Sequence, residues 1–192
     1  MIHDLSLKIS NKLVKESDYE SEVIAYGVEI TIRSLIKLVT ILLIGFLIND
    51  LILIIIVLVS FSSLRVLSGG FHFSRFFYCY INSMSLLTSI ALASQIMGQV
   101  NIAYLKIIMF FCFIISIFIL LVFGTSINPD RVSYNRRSLL KYLSITFIII
   151  MYIFVQYILG LNPSYATAIQ LGIVSQSLTL LKRKRGTKNE KN

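Results

Sequence analysis

Six apolar runs, most of them close to the length that crosses a lipid bilayer and separated by only a few polar residues, decide what this chain can fold into. Hydrocarbon offers no water to the backbone, so a segment that crosses it must satisfy its own N–H and C=O groups, which for runs of this kind means a helix. With 56% hydrophobic and only 14% charged residues among 192, the chain holds far more apolar surface than one soluble domain of that length needs. The expected architecture is therefore all-α, a polytopic membrane protein of about six transmembrane helices behind an N-terminal amphipathic helix. It reads as one integral membrane domain, 1–192, with residues 1–26 interfacial and cytoplasmic and 182–192 a basic cytoplasmic tail.

In chain order, Ile2, Leu5, Ile9 and Leu13 stand at helical spacing while Lys8, Lys12, Lys15 and Glu16 occupy other faces, the pattern of a helix lying on a membrane surface or packed on protein. The first 22 residues are rich in charge of both signs, so no cleaved signal peptide is expected. A first span runs from about Gly27 to Ile48, with Glu29, Arg33 and Lys37 on one stripe where opposite charges pair and long basic chains snorkel. Asn49-Asp50 is a short turn before a second, almost wholly aliphatic span, Leu51–Leu64. The third, Ile81–Met97, carries the Ser and Thr typical of helix-to-helix packing. Tyr104–Phe123 is the strongest span, Leu139–Leu159 the fifth, and Ser164–Leu181 a short and comparatively polar sixth after the Asn162-Pro163 turn. Gly124–Ser138 is read as a linker.

Basic residues set the orientation. Of 18 Lys and Arg, five precede or open the first span, two lie between the second and third, four between the fourth and fifth or at the start of the fifth, and six in the tail; only Lys106 falls in the other set of turns. By the positive-inside rule both termini and the 65–80 stretch face the cytoplasm. Lys182-Arg183-Lys184-Arg185 follows a span directly, so it reads as a topology anchor and no nucleic-acid partner is expected. No nucleotide-binding glycine pattern and no metal-ligand set occurs, so neither metal nor cofactor is expected.

Reactive groups gather in one place, Arg-Val-Leu-Ser-Gly-Gly-Phe-His-Phe-Ser-Arg-Phe-Phe-Tyr-Cys-Tyr, residues 65–80. Cys79 is a candidate nucleophile, but a free thiol titrates near a pKa of about 8.5 and needs a neighbouring base or cation to become thiolate. His72 is the nearest base. On an unbroken helix seven residues put the two about 10.5 Å apart along the axis, too far for a hydrogen bond. Pairing therefore requires the backbone to leave the helix, which Gly69-Gly70 permits. A satisfied polar histidine beside a loop is the equal alternative, and a non-catalytic channel, exporter or sensor whose Gly-Gly-Phe-His loop lines a path is the rival function. Cys112, in mid-run, reads as packing.

Taken together, Arg65, Gly69-Gly70, the aromatic Phe71, His72 and Cys79 resemble the motif of the accessory gene regulator B (AgrB) family, membrane cysteine endopeptidases that process quorum-sensing propeptides. The resemblance implies a Cys79–His72 catalytic pair with Arg65 and Gly70 functionally required. It also implies a short AgrD-like propeptide as partner, cut through a Cys79 thioester and closed into a thiolactone or lactone. Membrane lipids are the other expected partner, and a homodimer is allowed. No acidic residue lies in the motif to orient His72; Ser68, Ser74 and backbone carbonyls are the alternatives. Propeptides of that family carry an acidic segment beyond the cleavage point, so Arg65, Arg75, Arg131, Arg136 and Arg137 are candidate substrate-binding residues.

Overall fold

In a computed structural model, which describes residues 21–70, 76–124 and 134–181, the apolar runs form six helices. These are α1 (Ser21–Leu47), α2 (Leu51–Ser68), α3 (Phe76–Met97), α4 (Ile102–Phe123), α5 (Tyr134–Leu159) and α6 (Pro163–Thr179). Among the described residues there is no strand, so the fold is all-α as the sequence leads one to expect. Five helices, α1 to α5, are long and apolar enough to cross a membrane. The expected surface helix over 2–20 and the basic tail lie outside the described residues.

Each tight turn falls on residues chemically suited to it. Asn49 takes a left-handed conformation, φ 59°, which asparagine tolerates better than most residues. Asp50 then accepts a hydrogen bond from the Leu53 N–H at 3.0 Å, satisfying one of the donors that a helix start leaves open. Asn101 does the same for Ala103 at the head of α4. At the head of α6, Asn162 accepts from both Ser164 and Tyr165 while Pro163 opens the helix, where its missing N–H is no loss.

Three helices begin upstream of the apolar runs from which they were expected. α1 starts at Ser21, α3 at Phe76 and α5 at Tyr134. At α1 and α5 helical hydrogen bonding continues through polar good helix formers such as Glu22 and Arg136, since only lipid contact demands an apolar side chain. The extra turn of α3, Phe76–Tyr80, is itself aromatic and lies in the motif upstream of the Ser- and Thr-bearing run. Two consequences follow for the site. Cys79 lies in the first turn of α3, and Arg136 and Arg137 belong to the first turn of α5, not to the linker expected over 124–138.

The chain divides into two compact units, Met1–Ile44 and Gly45–Asn192. In the first, Glu29 and Arg33 form the ion pair that their four-residue spacing implies. Thr31 and Thr40 return their hydroxyls to the carbonyls of Gly27 and Ile36.

In the second unit α6 is central, touching α2, α3, α4 and α5. Its buried face is built from small and polar residues, Ala166, Thr167, Ala168, Gln170, Gly172, Gln176 and Ser177, with Ile169 and Ile173 entering the core beside Leu64, Leu105, Leu120 and Ile148. Membrane helices gain little from apolar attraction to one another, because lipid is equally apolar; close backbone approach and interhelical hydrogen bonds hold them instead. Gly172 lets α6 press onto Ser60 of α2, and Thr167 donates to the Ser94 carbonyl of α3 at 3.2 Å. The bulk of the outward apolar surface, such as Phe110, Phe111 and Phe118 of α4, suits contact with lipid.

Gly98, at the end of α3, is the tightest of these approaches: a Cβ there would stand 2.9 Å from the Ser164 Cα and overlap its hydroxyl. Gly98→Ala is expected to lower stability by about 1–3 kcal/mol through overpacking. Gly27→Ala, where nothing lies within 4 Å, is expected to be neutral or to gain about 0.5–1 kcal/mol. Thermal unfolding in detergent separates the two, and equal midpoints would contradict this account of the α3–α6 contact.

Candidate active site

The motif straddles a break between helices. α2 ends at Ser68, and Gly69 follows with φ 73° and ψ −154°, its N–H donating to the Arg65 carbonyl. That region of backbone space belongs essentially to glycine, because a Cβ collides with the peptide there. Helix resumes at Phe76. The chain from Arg65 to Cys79 is thus interrupted, the condition that a His72–Cys79 contact requires. His72 lies outside the described residues, as do Phe71, Arg75 and Arg131.

Cys79 is half-buried in the first turn of α3, not engaged in a disulfide, with its carbonyl accepting from Ser83 Oγ at 2.7 Å. The Phe76 and Tyr80 rings, four residues apart, have centroids separated by 6.0 Å. The first turn of a helix presents open N–H groups and favours negative charge.

Arg65, in the last turn of α2, comes close enough to Cys79 for the guanidinium to interact electrostatically with the sulfur. Its Cζ also stands 5.7 Å from the centroid of the Phe61 ring, which steadies the cation over an aromatic face. The family resemblance assigns Arg65 to a substrate's acidic tail; in the fold its charge interacts with Cys79. Packing of α2 against α3 makes the approach, and no local pattern announces it.

Gly70 is needed for a different reason from Gly69. A Cβ on Gly70 would stand 3.1 Å from Gln176 Nε2, 3.3 Å from Thr179 Oγ1 and 3.7 Å from Arg65 Cζ, so an amide, a hydroxyl and the guanidinium surround one point. Gln176, more than a hundred residues downstream, was not a candidate from sequence; its signal is a long amide inside an otherwise small-residue membrane helix. The two glycines should therefore fail differently. Gly69→Ala is expected to cost about 1–3 kcal/mol of stability through backbone strain. Gly70→Ala should retain most stability but crowd Arg65 and Gln176, lowering activity with little change in unfolding temperature. Full activity in Gly70→Ala would remove the reason given for that glycine.

At the start of α5, Arg136 is exposed and Arg137 half-buried. Lys141, one turn further, donates to the Leu121 carbonyl at 2.9 Å and ties α5 to the end of α4, where Gly124 closes the helix at φ 64°. Cys112 lies in the middle of α4, half-buried, its carbonyl bonded by Ser116. Among the described residues no three His, Cys, Asp or Glu side chains are grouped to hold a metal ion.

Comparison with known proteins bears on this arrangement. The family described as accessory gene regulator B matches residues 6–180. An AgrB-like protein of Clostridium perfringens (strain SM101 / Type A) is 30% identical over 94% of this chain and 91% of its own length. The accessory gene regulator protein B of Staphylococcus aureus (strain MW2) is 26% identical over 81% of this chain and 79% of its own. No solved structure matches.

Proposed function

This chain belongs to the accessory gene regulator B family, which implies a role in quorum-sensing peptide processing, and we propose that it performs that role as a cysteine endopeptidase with Cys79 as nucleophile. The substrate is a short AgrD-like propeptide held at the inner leaflet of the cell membrane. The observation that carries the reading is the placement of Arg65 in the last turn of α2 and Cys79 in the first turn of α3, on either side of the break at Gly69, with the Arg65 guanidinium interacting electrostatically with Cys79.

The residues divide the chemistry as follows. His72 takes the thiol proton of Cys79, and the Arg65 guanidinium interacts electrostatically with the sulfur as its charge develops. The thiolate attacks the scissile carbonyl, and the negative charge that develops on the carbonyl oxygen falls within the field of the same guanidinium. As the tetrahedral species collapses, the C–N bond breaks and His72 returns the proton to the leaving amine. The N-terminal part of the substrate is left as a thioester on Cys79. An internal Cys or Ser of the substrate then attacks that carbonyl, forming the cyclic thiolactone or lactone and releasing Cys79. Exchange of one thioester for another is nearly balanced in energy, so it succeeds only where water is kept from the acyl group, and apolar helices do this.

The positive-inside distribution supports a cytoplasmic site, with Arg131, Arg136 and Arg137 facing the compartment from which a propeptide arrives. Co-expression with a small open reading frame beside the gene tests the proposal. The expected result is a propeptide that loses its C-terminal piece, together with a protein–peptide adduct that neutral hydroxylamine releases, as a thioester demands. An intact propeptide, or a cleaved one with no such adduct under any quench, would overturn the mechanism.

A further inference from the structure

We propose that Gln176 of α6 is a positioning residue for this site, its buried amide fixing the Gly69–Gly70 turn so that Arg65 stays in register with Cys79. The inference rests on the reading of Cys79 as the nucleophile. Gln176 is fully buried. Its Nε2 donates to the Gly69 carbonyl at 2.6 Å and reaches Ser68 Oγ at 3.4 Å, while Ser68 is itself anchored to the Leu64 carbonyl at 2.8 Å. One amide thus grips both sides of the point where α2 ends. The same Nε2 and the Arg65 Cζ both lie within 4 Å of the place a Gly70 Cβ would take. Gln176, the two glycines and Arg65 form one packed group, and it is through the electrostatic interaction of Arg65 with Cys79 that the group would act on the sulfur.

Stability alone does not account for this side chain. Gln176 Oε1 is buried without a hydrogen-bond partner, a defect that an apolar residue of similar size would not carry. Gln170, six residues earlier on α6, is also buried with both amide atoms unpartnered, so what distinguishes Gln176 is its Nε2 bond to the Gly69 carbonyl of another helix's end. The buried Ser60, Ser94, Ser116, Ser144 and Ser177 each return their hydroxyl to a carbonyl of their own helix.

The test is the pH dependence of Cys79 alkylation by iodoacetamide in purified Cys112→Ala protein, which needs no substrate. Gln176→Met removes the donor and the unpartnered acceptor at nearly constant volume. It is expected to keep the unfolding temperature of the parent while the alkylation profile is displaced and the neutral-pH rate falls about tenfold, the loss of one charge contact at the sulfur. Arg65→Ala should give the same displacement, and the Gln176→Met/Arg65→Ala double variant no more than either, because the two act through one contact. With propeptide, Gln176→Met should lower kcat and leave KM nearly unchanged. If Gln176→Met does not accumulate as folded protein, Gln176→Asn, whose amide stops one methylene short of Gly69, is read in the same way. An unmoved alkylation profile in a folded variant, or additive effects in the double variant, would overturn the positioning role. Failure of the wild-type protein to cleave any propeptide while the profiles behave as stated would instead bring down the proposed reaction.

Discussion

Cys79→Ala is expected to abolish propeptide cleavage, by on the order of a thousandfold or more, because no acyl-enzyme forms without the sulfur. His72→Ala should lose roughly 10²–10⁴-fold, the usual contribution of a placed acid–base group, and should retain a residue of activity at high pH where the thiolate forms unaided. Cys112→Ala should be close to silent, since that side chain is half-buried in mid-span on α4. Cleavage of a propeptide in membranes carrying each variant, read by mass spectrometry, checks all three. A channel or exporter would tolerate Cys79→Ala while still moving a peptide, so an unaffected Cys79→Ala protein would favour that rival. An essential Cys112 with a dispensable Cys79 would place the nucleophile on another helix altogether.

Much of the fold was legible because the membrane imposes a coarse rule that a one-dimensional pattern can carry. The apolar runs, the Asn49-Asp50 turn and the Asn162-Pro163 turn reappear with their caps in place. Boundaries drawn where side chains turn polar were misplaced at Ser21 and Tyr134, since backbone hydrogen bonding ignores that change, and the aromatic turn Phe76–Tyr80 also joined α3. The sixth run, set apart as short and polar, proves to be the central helix, with four neighbours. Its small residues and amides are what an interior membrane helix uses, a signal present in the sequence but dependent on knowing how many helices surround it.

The candidate site's arrangement was legible only in part, for a related reason. Cys79, Arg65, Gly69 and Gly70 lie within one short stretch, and the need for a helix break there followed from simple geometry. The distinct roles of the two glycines did not. A positive φ at Gly69 belongs to the local chain, whereas the crowding at Gly70 comes from Gln176 and Thr179 at the far end of the sequence. Contacts made by a distant helix leave no mark in local spacing.

Arg65→Lys is the second large effect expected, and it separates charge from shape. Lysine keeps the cation but not the planar five-donor fork, nor the guanidinium's affinity for an aromatic face such as Phe61. A group acting on the nucleophile and on the carbonyl oxygen in the transition state should show its loss in kcat, on the order of a hundredfold as for a missing oxyanion donor. A group that only held the substrate's acidic tail would instead show it in KM. Arg131, Arg136 and Arg137 are expected to behave in that second way. Arg136 is exposed at the head of α5, where a carboxylate arriving from the cytoplasm meets it in water. Their triple alanine variant should therefore raise KM and flatten its salt dependence, because exposed charges are screened within about 8–10 Å at moderate ionic strength, while kcat holds. Lys184→Ala, in a tail whose charges serve orientation and anionic headgroups at about 1 kcal/mol each, should change neither constant. The informative comparison is between the two arginine sets under one assay. If Arg65→Lys raised KM alone and the triple variant lowered kcat alone, the assignments would be reversed. If the triple variant kept wild-type KM and salt dependence, the cluster's charge would act on topology only.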